Sequence, residues 1–489
     1  MNLAKRSITS ASWNYSVNFI EFVITFFRQV ILARLLDIEV FGIYSFVSSI
    51  IFFTLLFPRF GMGSALLNRV PETDDTDKSA SVHFTLTTIF ISMWIVALLI
   101  FCIFFLEEQY FIPFVVIGFA MAVNELMQTT RTLLHRSVNT RRIAVIRLIT
   151  VISSAVISVI LALNGAGLWA LMSINILVPL IMIFGLYLWN PVWKPHFSWD
   201  KDIVRYLLDF GRKNFIAELL SQGLDRIDDI WTGLYLGELS LGYYSKAYSF
   251  ANMPGNLLGR PLVNIIRGSY AELKGDRKRL SRYFFIFNSV LLRSGFFIGG
   301  VLFLIAPEFI MVVLGEKWLP MLEAFRLMLI FTLIDPVKIS IANVFTAVGK
   351  PEIIGKARLT QLVVMVIGLF VLGPSYGITG VAVAVNIMVV VGLVQQLYLV
   401  KEFVDYSLKD LYLTPLVSLI GGFALFGVLS IWIQFGSIYI SALVKGAAFS
   451  FGFMGLFLLF EYRLLKNEYL PLVKRAFKKQ PVRDNISDG

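Results

Sequence analysis

The chain has 489 residues, 57% hydrophobic and 15% charged, with a formal net charge of +11 and a mean hydropathy of +0.77. That balance excludes a soluble domain enlarged by length. The cations are spread over many loops with no basic domain to hold them, which excludes nucleic acid as partner and points to membrane topology and anionic lipids.

About fourteen apolar stretches follow one another near 10–34, 40–66, 80–105, 110–134, 143–163, 166–189, 211–236, 241–267, 283–306, 320–347, 357–374, 378–400, 411–434 and 438–462. Each is close to the ~20 residues needed to cross ~30 Å of hydrocarbon. The first is too long and too polar on one face for a cleavable signal peptide, so it is read as span one. Lys and Arg outside the spans fall in alternate loops. Lys5 and Arg6 precede span one, Arg69 and Lys78 follow span two, and Arg131, Arg136, Arg141, Arg142 and Arg147 lie between spans four and five. The alternation continues to a tail with Lys474, Arg475, Lys478, Lys479 and Arg483, and of the opposite loops only Lys317 breaks it. The positive-inside bias then predicts both termini in the cytoplasm and an even number of spans.

An ionisable side chain inside a span is costly unless it faces protein or water. In span one Asn14, Asn18, Glu21, Thr25 and Arg28 recur at steps of four, three, four and three, which is one helical face. In span seven Asn214, Glu218, Ser221, Asp225 and Asp228 form the matching face at positions shifted by 200, with Gln222 and Asp229 beside it. Span eight adds Tyr248, Asn252, Asn256, Arg260 and Asn264 at steps of four. Arg59, Lys246, Arg293, Arg326 and Lys338 bring further cations into spans. Arginine offers several donors that match phosphate oxygens, so these residues point to an anionic substrate. The binding candidates are accordingly Arg28, Arg59, Lys246, Asn252, Asn256, Arg260, Arg293, Arg326 and Lys338. Glu21, Glu218, Asp225, Asp228, Asp229 and Asp335 are the candidates for H+ or Na+ coupling. Pro336, beside Asp335, is expected to kink or break span ten.

Enzyme signatures are absent. No G-x-x-x-x-G-K-[ST] loop occurs, His83, His135 and His196 are far apart, and one cysteine makes no metal constellation. The Asp74-Asp75-Thr76-Asp77 run reads as a solvated loop before a helix, and Gly233 with Gly237 is a weak helix-packing signal. No cofactor is expected.

A shift of 200 lays Phe41-Gly42-Ile43-Tyr44-Ser45 on Leu241-Gly242-Tyr243-Tyr244-Ser245 and Asn14 on Asn214. Six spans separate the copies, so both enter the bilayer from the same side, and a parallel pseudo-twofold with the substrate path between the halves is expected. The organisation follows: a six-helix lobe over 1–190, a cytoplasmic linker over 191–210, a second six-helix lobe over 211–402, two additional helices over 403–463 and a basic cytoplasmic tail over 464–489. In the linker Ile203, Tyr206, Leu207 and Phe210 share one face, which predicts a helix on the cytoplasmic surface.

Fourteen spans arranged this way, the Gly-Tyr-Tyr-Ser-Lys-Ala-Tyr-Ser-Phe-Ala-Asn-Met-Pro stretch at 242–254 and the Gly-Glu-Lys-Trp at 315–318 resemble Wzx-type polysaccharide exporters. These are the lipid-linked oligosaccharide flippases of the multidrug/oligosaccharidyl-lipid/polysaccharide superfamily, and the likeness to the colanic-acid and teichuronic-acid exporter branch covers nearly the whole chain. The resemblance implies an all-α protein of the bacterial cytoplasmic membrane. It implies that an undecaprenyl-diphosphate-linked glycan is turned from the inner to the outer leaflet by alternating access. A cationic cavity would hold diphosphate and sugars, the prenyl tail would stay in lipid, and polysaccharide polymerase and glycosyltransferases would be partners. Two rivals remain at this point. A cation-coupled multidrug antiporter of the same superfamily would usually stop at twelve spans, and a membrane polysaccharide polymerase or ligase should carry a long outside loop with catalytic polar residues.

Overall fold

Without water along its length, a chain must satisfy its backbone groups internally, and a helix does so within one segment. The computed structural model describes residues 3–69, 76–136, 140–189, 191, 193–432, 436–464 and 466, with side chains at these positions except 3–16, 140–141, 258, 260–262, 264–265, 267, 331–333, 432 and 463–464. Among the described residues there are seventeen α-helices and no strand. They are α1 (Leu3–Leu35), α2 (Ile38–Thr54), α3 (Leu56–Arg59), α4 (Met62–Asn68), α5 (Thr76–Phe105), α6 (Glu108–Leu126), α7 (Gln128–Arg136), α8 (Thr140–Leu163), α9 (Leu168–Ile183), α10 (Lys201–Ala251), α11 (Arg260–Leu273), α12 (Arg277–Leu304), α13 (Ala306–Phe309), α14 (Leu322–Ala347), α15 (Glu352–Val400), α16 (Leu408–Trp432) and α17 (Ile438–Leu464).

Ten helices among the described residues are long and apolar enough to cross a membrane. The polar-striped α1 and α10 are not among them, and the ten count Glu352–Val400 once, although Gly377 (φ 57°, ψ −141°) interrupts it. Gly237 (φ 82°, ψ 175°) interrupts α10 in the same way. Phe104 and Phe105 on α5, and Leu443 and Leu459 on α17, are large apolar side chains left exposed by the protein, the surface that hydrocarbon covers in a bilayer.

The chain divides into two compact units, one of residues 1–250, 313–324 and 355–388, the other of 251–312, 325–354 and 389–489. In the first unit α1 packs on α8, and α6 packs on α2, α5 and α9, around a core that includes Ile51, Leu55, Trp94, Phe114 and Ile117. A second cluster joins Met62, Leu66, Val82 and Leu86 to Ile203 and Leu207. The apolar face of 203–210 is thus turned onto α4 and α5 and does not lie free on a surface. The helix that carries it is the start of α10, which runs on into span seven without a stop.

Residues 193–200 reach α10 as an extended strap along α5. Trp193 donates to Asp77 (2.7 Å), the Ser198 amide to Thr85 (3.0 Å), and Lys78 pairs with Asp200 at 2.6 Å. Lys78 and the Ile203 amide, with the Asp202 amide, lower the Asp200 carboxyl from the usual 3.8 to about 2. A carboxylate lowered on folding contributes above its unfolded value and loses that contribution as pH falls through the folded one. Docking of the strap should therefore resist pepsin at about pH 4 and yield towards about pH 2, while Asp200→Asn should be cut already at about pH 4. Identical cleavage of both proteins at the higher pH would remove Asp200 as the anchor.

The repeat has a structural counterpart. A Cβ on Gly42 would lie 1.9 Å from the Glu238 carbonyl oxygen, and one on Gly242 would lie 2.3 Å from the Ile38 carbonyl oxygen. Each glycine admits the backbone of the helix start that matches its own at a shift of 200, an approach that only a residue without a side chain permits. Close by, Lys317 donates to the carbonyls of Arg34 (3.2 Å) and Leu36 (2.7 Å), Trp318 Nε1 donates to Ala33 O (3.0 Å), and Arg34 Nε donates to Val313 O (2.9 Å). The Gly-Glu-Lys-Trp segment is a clasp on the carbonyl end of α1. Lys317 has a partner fixed by helix-end chemistry, which accounts for its place outside the cation alternation.

In the second unit a core around Tyr270, Phe284, Ile341, Phe345 and Val400 is extended by α16 and α17, which pack on each other and on α12. Two buried ion pairs fix α17: Arg293 with Glu461, and Lys445 with Glu308, which also accepts from Ser441 at 2.6 Å. Pro336 does not break its helix, since α14 continues through it to Ala347. Gly259 makes room for the ring, for a Cβ there would meet Pro336 Cγ at 2.8 Å.

Candidate functional site

In the first unit the helix of span two is interrupted after Arg59. Phe60 has φ 42° and Gly61 φ 65°. A left-handed aromatic costs about 1–3 kcal/mol, and irregular backbone at membrane depth is tolerated where it is buried in protein or lines a cavity. Here α10 holds the break: a Cβ on Gly211 would meet Phe60 O at 2.3 Å, and one on Gly61 would meet Gly211 O at 2.7 Å. Phe60 stacks on Phe215 with ring centroids 5.2 Å apart.

The break opens a polar cavity of about 520 Å³ whose lining includes Arg59, His83, Asn124, Glu125, Gln128, Arg131, Glu218, Ser221 and Gln222. Arg59 Nη2 lies 2.6 Å from Glu125 Oε1. Arg131 Nη2 donates to the Asn124 carbonyl at 2.8 Å, while its Nε is buried without a hydrogen-bond partner. His83 Nδ1 is 2.9 Å from the Thr129 hydroxyl. The cavity holds two arginines and two glutamates among amides and hydroxyls. One ion pair, a second arginine and a second glutamate stand among donors and acceptors, the kind of lining that recognises a neutral polyhydroxylated group as well as an anion.

One turn further along α10 lies a second cavity of about 230 Å³, lined by Tyr44, Ser45, Ser49, Asp225, Arg226, Asp228, Asp229, Ser245 and Tyr248 among others. Ser49 donates to Asp229 (2.9 Å) and Tyr244 to Asp228 (2.6 Å). Asp228 is 7% exposed, and its Oδ1 is buried without a hydrogen-bond partner. Arg226 stands 4.0 Å from Asp229 with its guanidinium 5.0 Å over the Phe52 ring centroid.

The structure thus brings Arg59 and Glu218 to one cavity, and Asp225, Asp228 and Asp229 to the other. It does not gather the remaining candidates. Glu21 accepts from Arg147 Nε (2.6 Å), which also reaches Asn18, and Arg28 donates to Ser154 (3.2 Å), so the polar face of α1 is engaged with α8. Lys246 is buried with its ammonium 3.9 Å from the Phe41 ring centroid. In the second unit Arg293 is occupied by Glu461, Arg326 lies over the Phe303 ring, Lys338 is 3.5 Å from Asp335, Asn252 is half-buried and Asn256 exposed. The side chains of Arg260, Asn264 and Asn14, residues Asp74 and Asp75, and the basic tail beyond 466 lie outside the described residues. The sequence reading missed Glu125, Asn124, Gln128 and Arg131. Asn124, Gln128 and Arg131 are spaced by four and three, one helical face with an acid beside it in an apolar span.

A family model described as "Polysaccharide biosynthesis protein" matches residues 31–323. The succinoglycan biosynthesis transport protein ExoT of Rhizobium meliloti is 27% identical over 38% of each chain. The lipopolysaccharide biosynthesis protein WzxC of Escherichia coli is 21% identical over 78% of each. Among solved structures, an inward closed lipid II flippase MurJ superposes with a TM-score of 0.73 at 16% identity, covering 92% of this chain and 99% of that one. That likeness shows the fold.

Proposed function

This chain belongs to the polysaccharide biosynthesis protein family, and from that premise we propose that it flips a lipid-linked oligosaccharide, an undecaprenyl-diphosphate-linked repeat unit, across the bacterial cytoplasmic membrane. The observation that carries the reading is the polar cavity of about 520 Å³ built inside a unit of apolar, membrane-crossing helices. A chain that only anchored itself would have no reason to hold glutamates, arginines and amides at that depth. The cavity's balance of two arginines and two glutamates favours the glycan of the substrate as its occupant. The transport names of ExoT and of the MurJ fold neighbour support a flippase and not an enzyme.

In this reading α10 and α15 each cross twice, at Gly237 and Gly377, and together with α1 and the other spans this gives fourteen crossings with both termini cytoplasmic. The reciprocal approach at Gly42 and Gly242 supports two parallel six-helix lobes over 1–190 and 211–402, joined at 191–210 and followed by two helices and a basic tail. Alternating access of those lobes carries the substrate, polymerase and glycosyltransferases act before and after it, and any coupling runs through the acids of α10. The test is a flipping assay with an undecaprenyl-diphosphate-linked oligosaccharide in proteoliposomes. Movement to the opposite leaflet well above that in protein-free vesicles is expected, and equality with them overturns the reading.

A further inference from the structure

On the other side of the break at Phe60–Gly61 lies an apolar groove of about 670 Å³ between α2–α3 and α5, lined among others by Phe57, Phe60, Phe90, Met93, Ala97 and Phe101. Pro58 lines both this groove and the polar cavity. The partition between them is a single turn of backbone: Arg59 faces the polar side and is held by Glu125, while Phe57 and Phe60 face the apolar one. Phe60 rests edge-on against Phe90 at 6.2 Å. The groove opens outward, for Phe57 is 53% and Met93 65% exposed, and on a helix this apolar such exposure is to hydrocarbon.

A polar cavity and an apolar, lipid-open groove thus lie back to back, meeting at Pro58 with a single turn of backbone between them. We propose that the groove seats the prenyl tail of the lipid-linked substrate while its polar head occupies the adjoining cavity, so that the tail is bound by this protein and not left wholly in bulk lipid. The proposal rests on the flippase reading above. The commitment to a prenyl tail follows from that adjacency: a substrate with a polar head and an apolar tail would meet both surfaces at once, and the branched, flexible isoprenoid chain fits a groove walled by aromatic rings and a pliable methionine. The strained Phe60 is explained by the same arrangement, because its φ aims the ring into the groove wall immediately after Arg59 has been aimed the other way.

The test uses the full-length protein in proteoliposomes and one oligosaccharide attached through diphosphate to either an undecaprenyl or a farnesyl chain. Ala97 lines the groove and is exposed, so Ala97→Trp should fill the groove without disturbing the core. Val96, 56% exposed and outside the groove lining, gives the control Val96→Trp. Wild type and Val96→Trp are expected to move the undecaprenyl substrate at least about tenfold faster than the farnesyl one, and Ala97→Trp is expected to lose that preference. A benzophenone side chain at position 97 should cross-link to the undecaprenyl substrate in preference to phospholipid. Unchanged tail preference in Ala97→Trp, equal loss in both tryptophan variants, or cross-linking to phospholipid alone would each overturn the groove while leaving the flippase reading intact. No flipping by the wild type would overturn that reading, and the tail site with it.

Discussion

Arg293→Ala is expected to deplete the folded protein, not merely to stop transport. Arg293 and Glu461 each keep only 6% of their side-chain surface. The guanidinium donates through Nε to Glu461 Oε2 at 2.5 Å and through Nη2 to Oε1, and it reaches the carbonyls of Ser289 and Asp410 at 3.2 and 3.3 Å. Removing one partner leaves a buried carboxylate uncompensated, which costs about 3–5 kcal/mol, whereas replacing both by apolar residues of similar volume is often neutral or stabilising. Arg293→Met alone should therefore lower the unfolding midpoint in detergent and the amount recovered from membranes, and Arg293→Met with Glu461→Leu should restore both. Wild-type abundance of Arg293→Ala with transport abolished would return this arginine to substrate binding, the role its residue type suggests from sequence.

The pair Arg293–Glu461 marks the boundary between what is legible in the sequence and what is not. Apolar runs are local, so most spans could be placed from hydropathy within a few residues. The polar stripe of α10 was equally visible, because a four-three spacing is a property of one helix. What a side chain meets across the protein is not local. Glu461 lies 168 residues from Arg293 and Arg147 lies 126 from Glu21, and nothing in either segment announces its partner. By its charge Arg131 reads as a loop residue, yet α7 carries the helical path from Gln128 to Arg136 and returns the residue to a cavity. The interruption at Phe60 had only Pro58 and Gly61 as signals. At Pro336 the residue type predicts a kink or a break, and a facing glycine lets the helix continue.

Asp228→Asn should have the second large effect, on energetics of transport and not on stability. The smaller cavity collects Asp225, Asp228 and Asp229 around the guanidinium of Arg226, so three potential negative charges face one positive charge. Arg226 is nearest Asp229 and is shared with the Phe52 ring. Tyr244 satisfies one oxygen of Asp228 and leaves Oδ1 buried without a partner. A proton on the buried, unpartnered Oδ1 of Asp228 would supply the compensating charge. If that proton is carried through the cycle, an imposed proton gradient should accelerate flipping by wild type, and Asp228→Asn should flatten the response by about tenfold, equivalent to about 1.4 kcal/mol. Substrate binding should change far less, since the glycan cavity lies a turn away on α10. Asp225→Asn, at the exposed edge of the cluster, should act in the same direction but less. A gradient response unchanged in both variants, or absent from the wild type, would make these acids fixed counter-ions of Arg226 and leave the flippase driven by its substrate gradient alone.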